Sequence, residues 1–124
     1  MTGQEFKNRT KQIALRTIKL VESLPRTISA QIIGKQLLRS GTSIGANYRA
    51  ACRGKSTVEV LHKLAIVEEE ADESLYWMEL LIDSKIVSEN KLKMLMNDIN
   101  EIVAMIVASM KTMRRRQTGP KSKV

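Results

Sequence analysis

Four stretches of this chain repeat apolar residues every three or four positions, and the breaks between them are too short to hold anything but turns. In the first, Thr2 and Glu5 have capping-box spacing, and Phe6, Ile13, Thr17, Leu20, Val21 and Leu24 follow at helical intervals until Pro25 stops them. In the second, starting at Thr27, Ile33, Leu37, Ser40, Ile44, Tyr48 and Ala51 share one stripe, predicting a helix that reaches Gly54 if Gly41 and Gly45 leave it unbroken. In the third, Ser56 and Glu59 repeat the capping pattern ahead of Val60, Leu64, Val67, Ala71, Leu75, Met78 and Ile82. After a break over Asp83 to Ser88, Leu92, Leu95, Ile99, Ile102, Ile106, Met110 and Met113 form the fourth. A helix that is apolar on one face has to bury it, and four of them with short links predict an all-α, up-and-down antiparallel four-helix bundle.

Composition supports this class. Aromatic residues are only 3% of the 124, which argues against a sandwich or barrel, and 43% hydrophobic against 27% charged residues favours a folded chain. The expected organisation is one bundle domain over residues 1–113 and a basic tail over 114–124, where Gly119-Pro120 ends helical propensity. One cysteine, the lack of a secretory-signal pattern and the lack of an apolar run near 20 residues point to a soluble, cytoplasmic protein.

The net charge of +8 is unevenly distributed. Residues 1–60 carry 11 basic and 3 acidic side chains, residues 61–110 carry 4 and 10, and residues 111–124 carry 6 and none. On the second helix, Lys35, Arg39, Arg49 and Arg53 project within about 40° of one direction at 100° per residue, opposite the stripe centred on Ile44. Small Thr42 and Ala46 in the middle of this ridge leave room for a phosphate backbone. The candidate nucleic-acid-binding residues are therefore Lys35, Arg39, Arg49 and Arg53, with Arg114, Arg115, Arg116, Lys121 and Lys123 adding non-specific phosphate contacts. Two other readings stay open: an ordinary solvated face, or pairing of these bases with the acidic third helix of a neighbouring subunit.

The second and third helices hold more small or apolar residues than one core face needs. Gly41 and Gly45 with Ala46, Ala50, Ala51 and Cys52 would let another backbone approach closely. On the third helix, Ile66 and Trp77 lie about 120° from the core stripe, beside Glu59, Glu70 and Glu73. Ile66, Glu70, Glu73 and Trp77 are the candidate contact with another subunit, and a neighbouring helix of the same bundle is the alternative cover for the indole.

No catalytic or cofactor constellation emerges, so the chain is expected to be non-enzymatic and to need no metal or cofactor. Gly54-Lys55-Ser56 resembles the end of a phosphate-binding loop, but Arg49 stands where that motif needs glycine and no strand precedes it. Glu59 and His62 have the spacing of a di-iron half-site, which requires a second such pair, and the chain has one histidine, expected at the surface or an interface. Asn47 and Glu68, beside core stripes, are expected to fix register through an interhelical hydrogen bond, and Cys52 to be a packed thiol.

The segments Arg39-Ser40-Gly41-Thr42-Ser43-Ile44-Gly45-Ala46-Asn47-Tyr48-Arg49-Ala50-Ala51 and Lys63-Leu64-Ala65-Ile66-Val67-Glu68-Glu69-Glu70-Ala71-Asp72-Glu73-Ser74-Leu75-Tyr76-Trp77-Met78-Glu79-Leu80-Leu81 resemble the bacterial four-helix-bundle proteins labelled 23S rRNA intervening-sequence proteins. The likeness extends over residues 5–112. It implies a ring-shaped homopentamer with no established enzymatic activity. At the level of fold, that family is also similar to the accessory protein of diversity-generating retroelements, a basic pentamer that binds nucleic acid and a reverse transcriptase. The functional expectation is an oligomeric scaffold whose basic surface takes RNA or DNA. The alternative is an adaptor whose same surface receives an acidic protein, such as a reverse transcriptase, without nucleic acid.

Overall fold

The computed structural model describes residues 2–117, which form four helices: α1 (Gly3–Glu22), α2 (Ile28–Cys52), α3 (Thr57–Asp83) and α4 (Glu89–Gln117). Each of the first three begins where its capping residue stands. Thr2 Oγ1 accepts the Glu5 amide at 3.1 Å, Thr27 Oγ1 accepts the Ala30 amide at 3.3 Å, and Ser56 Oγ accepts the Glu59 amide at 3.1 Å. Glu59 returns the favour by accepting the Lys55 amide at 3.1 Å, so two otherwise unpaired donors at the head of α3 are satisfied. The turn between α3 and α4 places Lys85 at φ 62°, where its amide bonds the Ile82 carbonyl at 2.9 Å.

The helices form an all-α up-and-down bundle in which α2 packs on α1 and α3, α3 packs on α4, and α4 closes on α1. Among the described residues, twenty buried apolar side chains form one continuous core, with Leu37, Ile44, Val67, Met78, Leu81, Ile99 and Ile102 fully inaccessible. Burial of these stripes is the main stabilising term, at about 25 cal/mol for each Å² of apolar surface removed from water.

The core departs from the sequence reading on α3, whose buried side runs through Ser74 and Leu81, while Val60, Leu75 and Ile82 are only half-buried. The cause is α2. It packs closely enough to cover polar Ser74, whose hydroxyl lies 2.8 Å from that of Ser40 on α2. This buried hydroxyl pair supplies the interhelical polar contact expected of Asn47. Asn47 instead donates to the Ser43 carbonyl of its own helix at 2.9 Å, and Glu68 is half-buried.

Helix α2 is continuous through both glycines, which face α1. A Cβ on Gly41 would sit 2.7 Å from Thr17 Cγ2 and 2.9 Å from its Oγ1, and one on Gly45 would sit 3.1 Å from Thr10 Oγ1. Thr10 and Thr17 are themselves buried, and their hydroxyls donate back to the Lys7 and Ile13 carbonyls. Buried hydroxyls on α1 thus meet bare backbone on α2. At the other end of the chain, α4 extends to Gln117 rather than Met113, because no breaker occurs before Gly119 and arginines suit a helix C-terminus. Arg114, Arg115 and Arg116 are therefore helical, and the rest of the expected tail, with Lys121 and Lys123, lies outside the described residues.

Gly41→Ala is expected to lower stability by about 1–3 kcal/mol in urea denaturation, since crowding against buried Thr17 outweighs the ~1 kcal/mol helix-propensity gain. Adding Thr17→Ala, which removes both crowding atoms, should recover much of the midpoint shift. Ser56→Ala should cost about 1 kcal/mol by loss of the α3 cap.

Candidate nucleic-acid interface

On α2 the four predicted ridge residues are all exposed, but they are not equivalent. Arg39 reaches across to α3, where Nη1 donates to both Glu70 carboxylate oxygens at 2.9 and 3.3 Å and Nη2 pairs with Glu73. Its guanidinium is held above its ordinary pKa, chiefly by the hydrogen bond to Glu70 and then by that to Glu73. For Arg39, an acidic third helix is thus supplied by the same chain. Among the described residues Lys35, Arg49 and Arg53 form no ion pair, so their charge is available to solvent.

The acidic side of this contact includes Trp77. Its indole Nε1 donates to Glu73 Oε2 at 3.0 Å, and its ring lies edge-on to Tyr76 at a centroid distance of 5.1 Å. Half-buried Trp77 packs on the core of its own subunit, so the indole is covered from within, at least on one side. Ile66 is also half-buried. Glu73 is held below the usual carboxylate range, first by the Trp77 indole and then by Arg39, against an opposing effect of burial.

Antiparallel folding joins what the sequence separates. The start of α1, the end of α2, the start of α3 and the end of α4 meet around a cleft of about 490 Å³ whose lining includes Phe6, Tyr48, Cys52, Val60, Met105 and Ser109. Arg49 and Arg53 at the end of α2 therefore share one pole of the bundle with Arg114, Arg115 and Arg116 at the end of α4. Lys7, Lys55, Lys63 and Lys111 lie on the same helix ends, whereas the acidic residues there are Glu5 and Glu59. This concentration of charge is invisible in a linear reading, because 60 residues separate Arg53 from Arg114 in the chain.

Among the described residues, no carboxylate or imidazole lines the cleft itself. Tyr48 stacks on Phe6 with centroids 4.3 Å apart, and burial, together with the adjacent Cys52 thiol, pushes its phenol up to about 12. Cys52 is exposed rather than packed, because at this end of α2 it is the adjacent Ala51 that faces the core. His62 is exposed, Gly54 follows the end of α2, and Ser56 serves as the α3 cap. Among the described residues no three His, Cys, Asp or Glu side chains cluster as metal ligands, and no helix is long and apolar enough to cross a membrane.

On the remaining side, Arg9 and Arg16 of α1 meet α4. Arg16 Nη1 donates to Asp98 Oδ2 at 2.5 Å, and Arg9 lies 3.8 Å from Asp98 and 3.6 Å from Glu101. Sequence reasoning did not separate these spoken-for arginines from the others, since only the seam between the first and last helices brings them to their partners.

Acidification should report on the Glu73 contact through Trp77, the single tryptophan. Because the folded-state pKa is depressed, any stability from ionised Glu73 is complete above the unfolded value and is lost as pH falls through the folded one. Trp77 emission is expected to change with a midpoint below the reference value of 4.5, and Glu73→Gln should abolish that step.

Two comparisons with known proteins agree with this architecture. A crystal structure of a protein of unknown function from the S23 ribosomal protein family of Bacteroides thetaiotaomicron superposes with a TM-score of 0.83 and 34% sequence identity, covering 90% of this chain and 99% of that one. No curated protein matches. The family model described as 23S rRNA-intervening sequence protein matches residues 4–108, a span that runs from the first turn of α1 to the last third of α4, and the chain therefore belongs to the 23S rRNA-intervening sequence protein family.

Proposed function

We propose that this protein is a non-catalytic scaffold that assembles with copies of itself, as a pentamer, and binds RNA or DNA through phosphate contacts at its basic pole. The observation that carries this reading is the meeting of the α2 and α4 C-terminal ends, which places Arg49, Arg53, Arg114, Arg115 and Arg116 at one end of the bundle. Several cations on a rigid frame displace condensed counterions from a polyanion, giving affinity without sequence preference. The aromatic rings at this pole, Phe6 and Tyr48, contact each other in the cleft and Phe6 is buried, which favours backbone contacts over base stacking. The five-subunit assembly comes from the family resemblance. It is supported by exposed apolar side chains, of which Ile28 at 81%, Ile32 at 57% and Tyr76 at 53% exposure stand on α2 and α3.

Light scattering with and without added RNA tests both parts in one sample. A mass five times 14.0 kDa that increases with polyuridylate supports the reading, and a monomer that ignores RNA at low salt overturns it. Binding should fall steeply with salt, by about 0.7 in log K per log salt for each single-strand phosphate neutralised. Arg49→Ala with Arg53→Ala should flatten that slope. Arg39→Ala should change it less, because Arg39 is already engaged by Glu70 and Glu73. An acidic protein bound tightly in nucleic-acid-free conditions would instead favour an adaptor.

A further inference from the structure

We infer that Glu70 and Glu73 act as an intramolecular stand-in for phosphate, occupying Arg39 and withholding it from the polyanion-binding ridge of α2. The inference rests on the phosphate-binding reading above and adds a means by which that surface is restrained.

The argument begins with position. Lys35, Arg39, Arg49 and Arg53 share one side of α2 by helical phase, and among the described residues Arg39 alone of the four pairs with α3 carboxylates. Its guanidinium presents two nitrogens to two carboxylates: Nη1 to both oxygens of Glu70, and Nη2 to Glu73. Planar forked donors facing anionic oxygens are also how arginine grips a phosphate, so the two interactions compete for the same donors.

The carboxylates are themselves held in place. The Glu70 side chain is only 14% exposed, and the Glu73 oxygen that meets Arg39 also accepts from the Trp77 indole. The Arg39 side chain is 49% exposed, so a solvent-borne anion can reach it once the carboxylates no longer compete. A surface ion pair of this kind contributes little to folding. Holding a cation out of a binding ridge needs no large energy, because each phosphate contact is itself modest and salt-dependent.

The test compares three variants of the full-length chain for binding to fluorescein-labelled polyuridylate across a salt series. Glu70→Gln with Glu73→Gln frees Arg39 while leaving an oxygen to accept from Trp77. Glu69→Gln with Glu79→Gln makes the same change in net charge at exposed α3 positions that do not touch Arg39. The first variant is expected to bind about five to ten times more tightly than wild type near 50 mM salt, with a salt slope steeper by about 0.7, equal to one added phosphate contact. The second should stay close to wild type. Adding Arg39→Ala to the first variant should remove its gain.

Equal gains in the two double variants, or none in either, with wild type still binding, overturn this inference alone. Absence of binding by wild type and by the released variant overturns the phosphate-binding reading as well. Circular dichroism checks that both doubles keep their helix content, and Glu73→Gln alone gives the same direction with smaller amplitude if the double variant unfolds.

Discussion

The close approach of α2 to α1 sets the geometry of the molecule. Bare backbone at Gly41 and Gly45 lies against Thr17 and Thr10, whose hydroxyls are satisfied within α1 and so tolerate burial. Once α2 is seated this deeply, its other flank faces α3 across the Ser40–Ser74 hydroxyl pair, and the α3 stripe rotates to bury Ser74 and Leu81. What is left of α2 is a narrow outer face, and the ridge of cations occupies it. The same glycines that shape the core therefore determine which α2 side chains are presented to solvent.

Charge is arranged on this frame in two distinct ways. Across the helix seams it is paired: Arg39 with Glu70 and Glu73 between α2 and α3, and Arg9 and Arg16 with Asp98 and Glu101 between α1 and α4. At one pole it accumulates, where the ends of α2 and α4 come together. Seam pairs fix little energy at a solvated surface, but they determine which arginines remain available. The seam pairs are nearly neutral as a set, so the net charge of +8 survives them but says nothing of where it is concentrated.

The fold was largely legible in the chain. Thr2 and Ser56 cap the helices they were expected to cap, Thr27 stands where the second stripe was expected to start, and Gly41 and Gly45 lie close against a neighbouring helix. These features depend on residues at most a few turns apart. The candidate site was legible only in part. Helical phase identified Lys35, Arg39, Arg49 and Arg53 as one outward group, yet it gave no sign that Arg39 would find carboxylates 31 and 34 residues away in its own chain. Asn47 and Cys52 went the same way: their helical phase was clear, but whether they met another helix, their own carbonyls or solvent depended on distances between helices.

By itself the sequence determined the number of helices, their direction of travel and the residues that begin them, because capping and apolar periodicity act over a single turn. Tertiary structure alone decided which charges cancel and which converge. Coulombic interactions and hydrogen bonds depend on separation in space, and antiparallel packing brings the ends of α2 and α4 together while placing Arg39 beside the acids of α3.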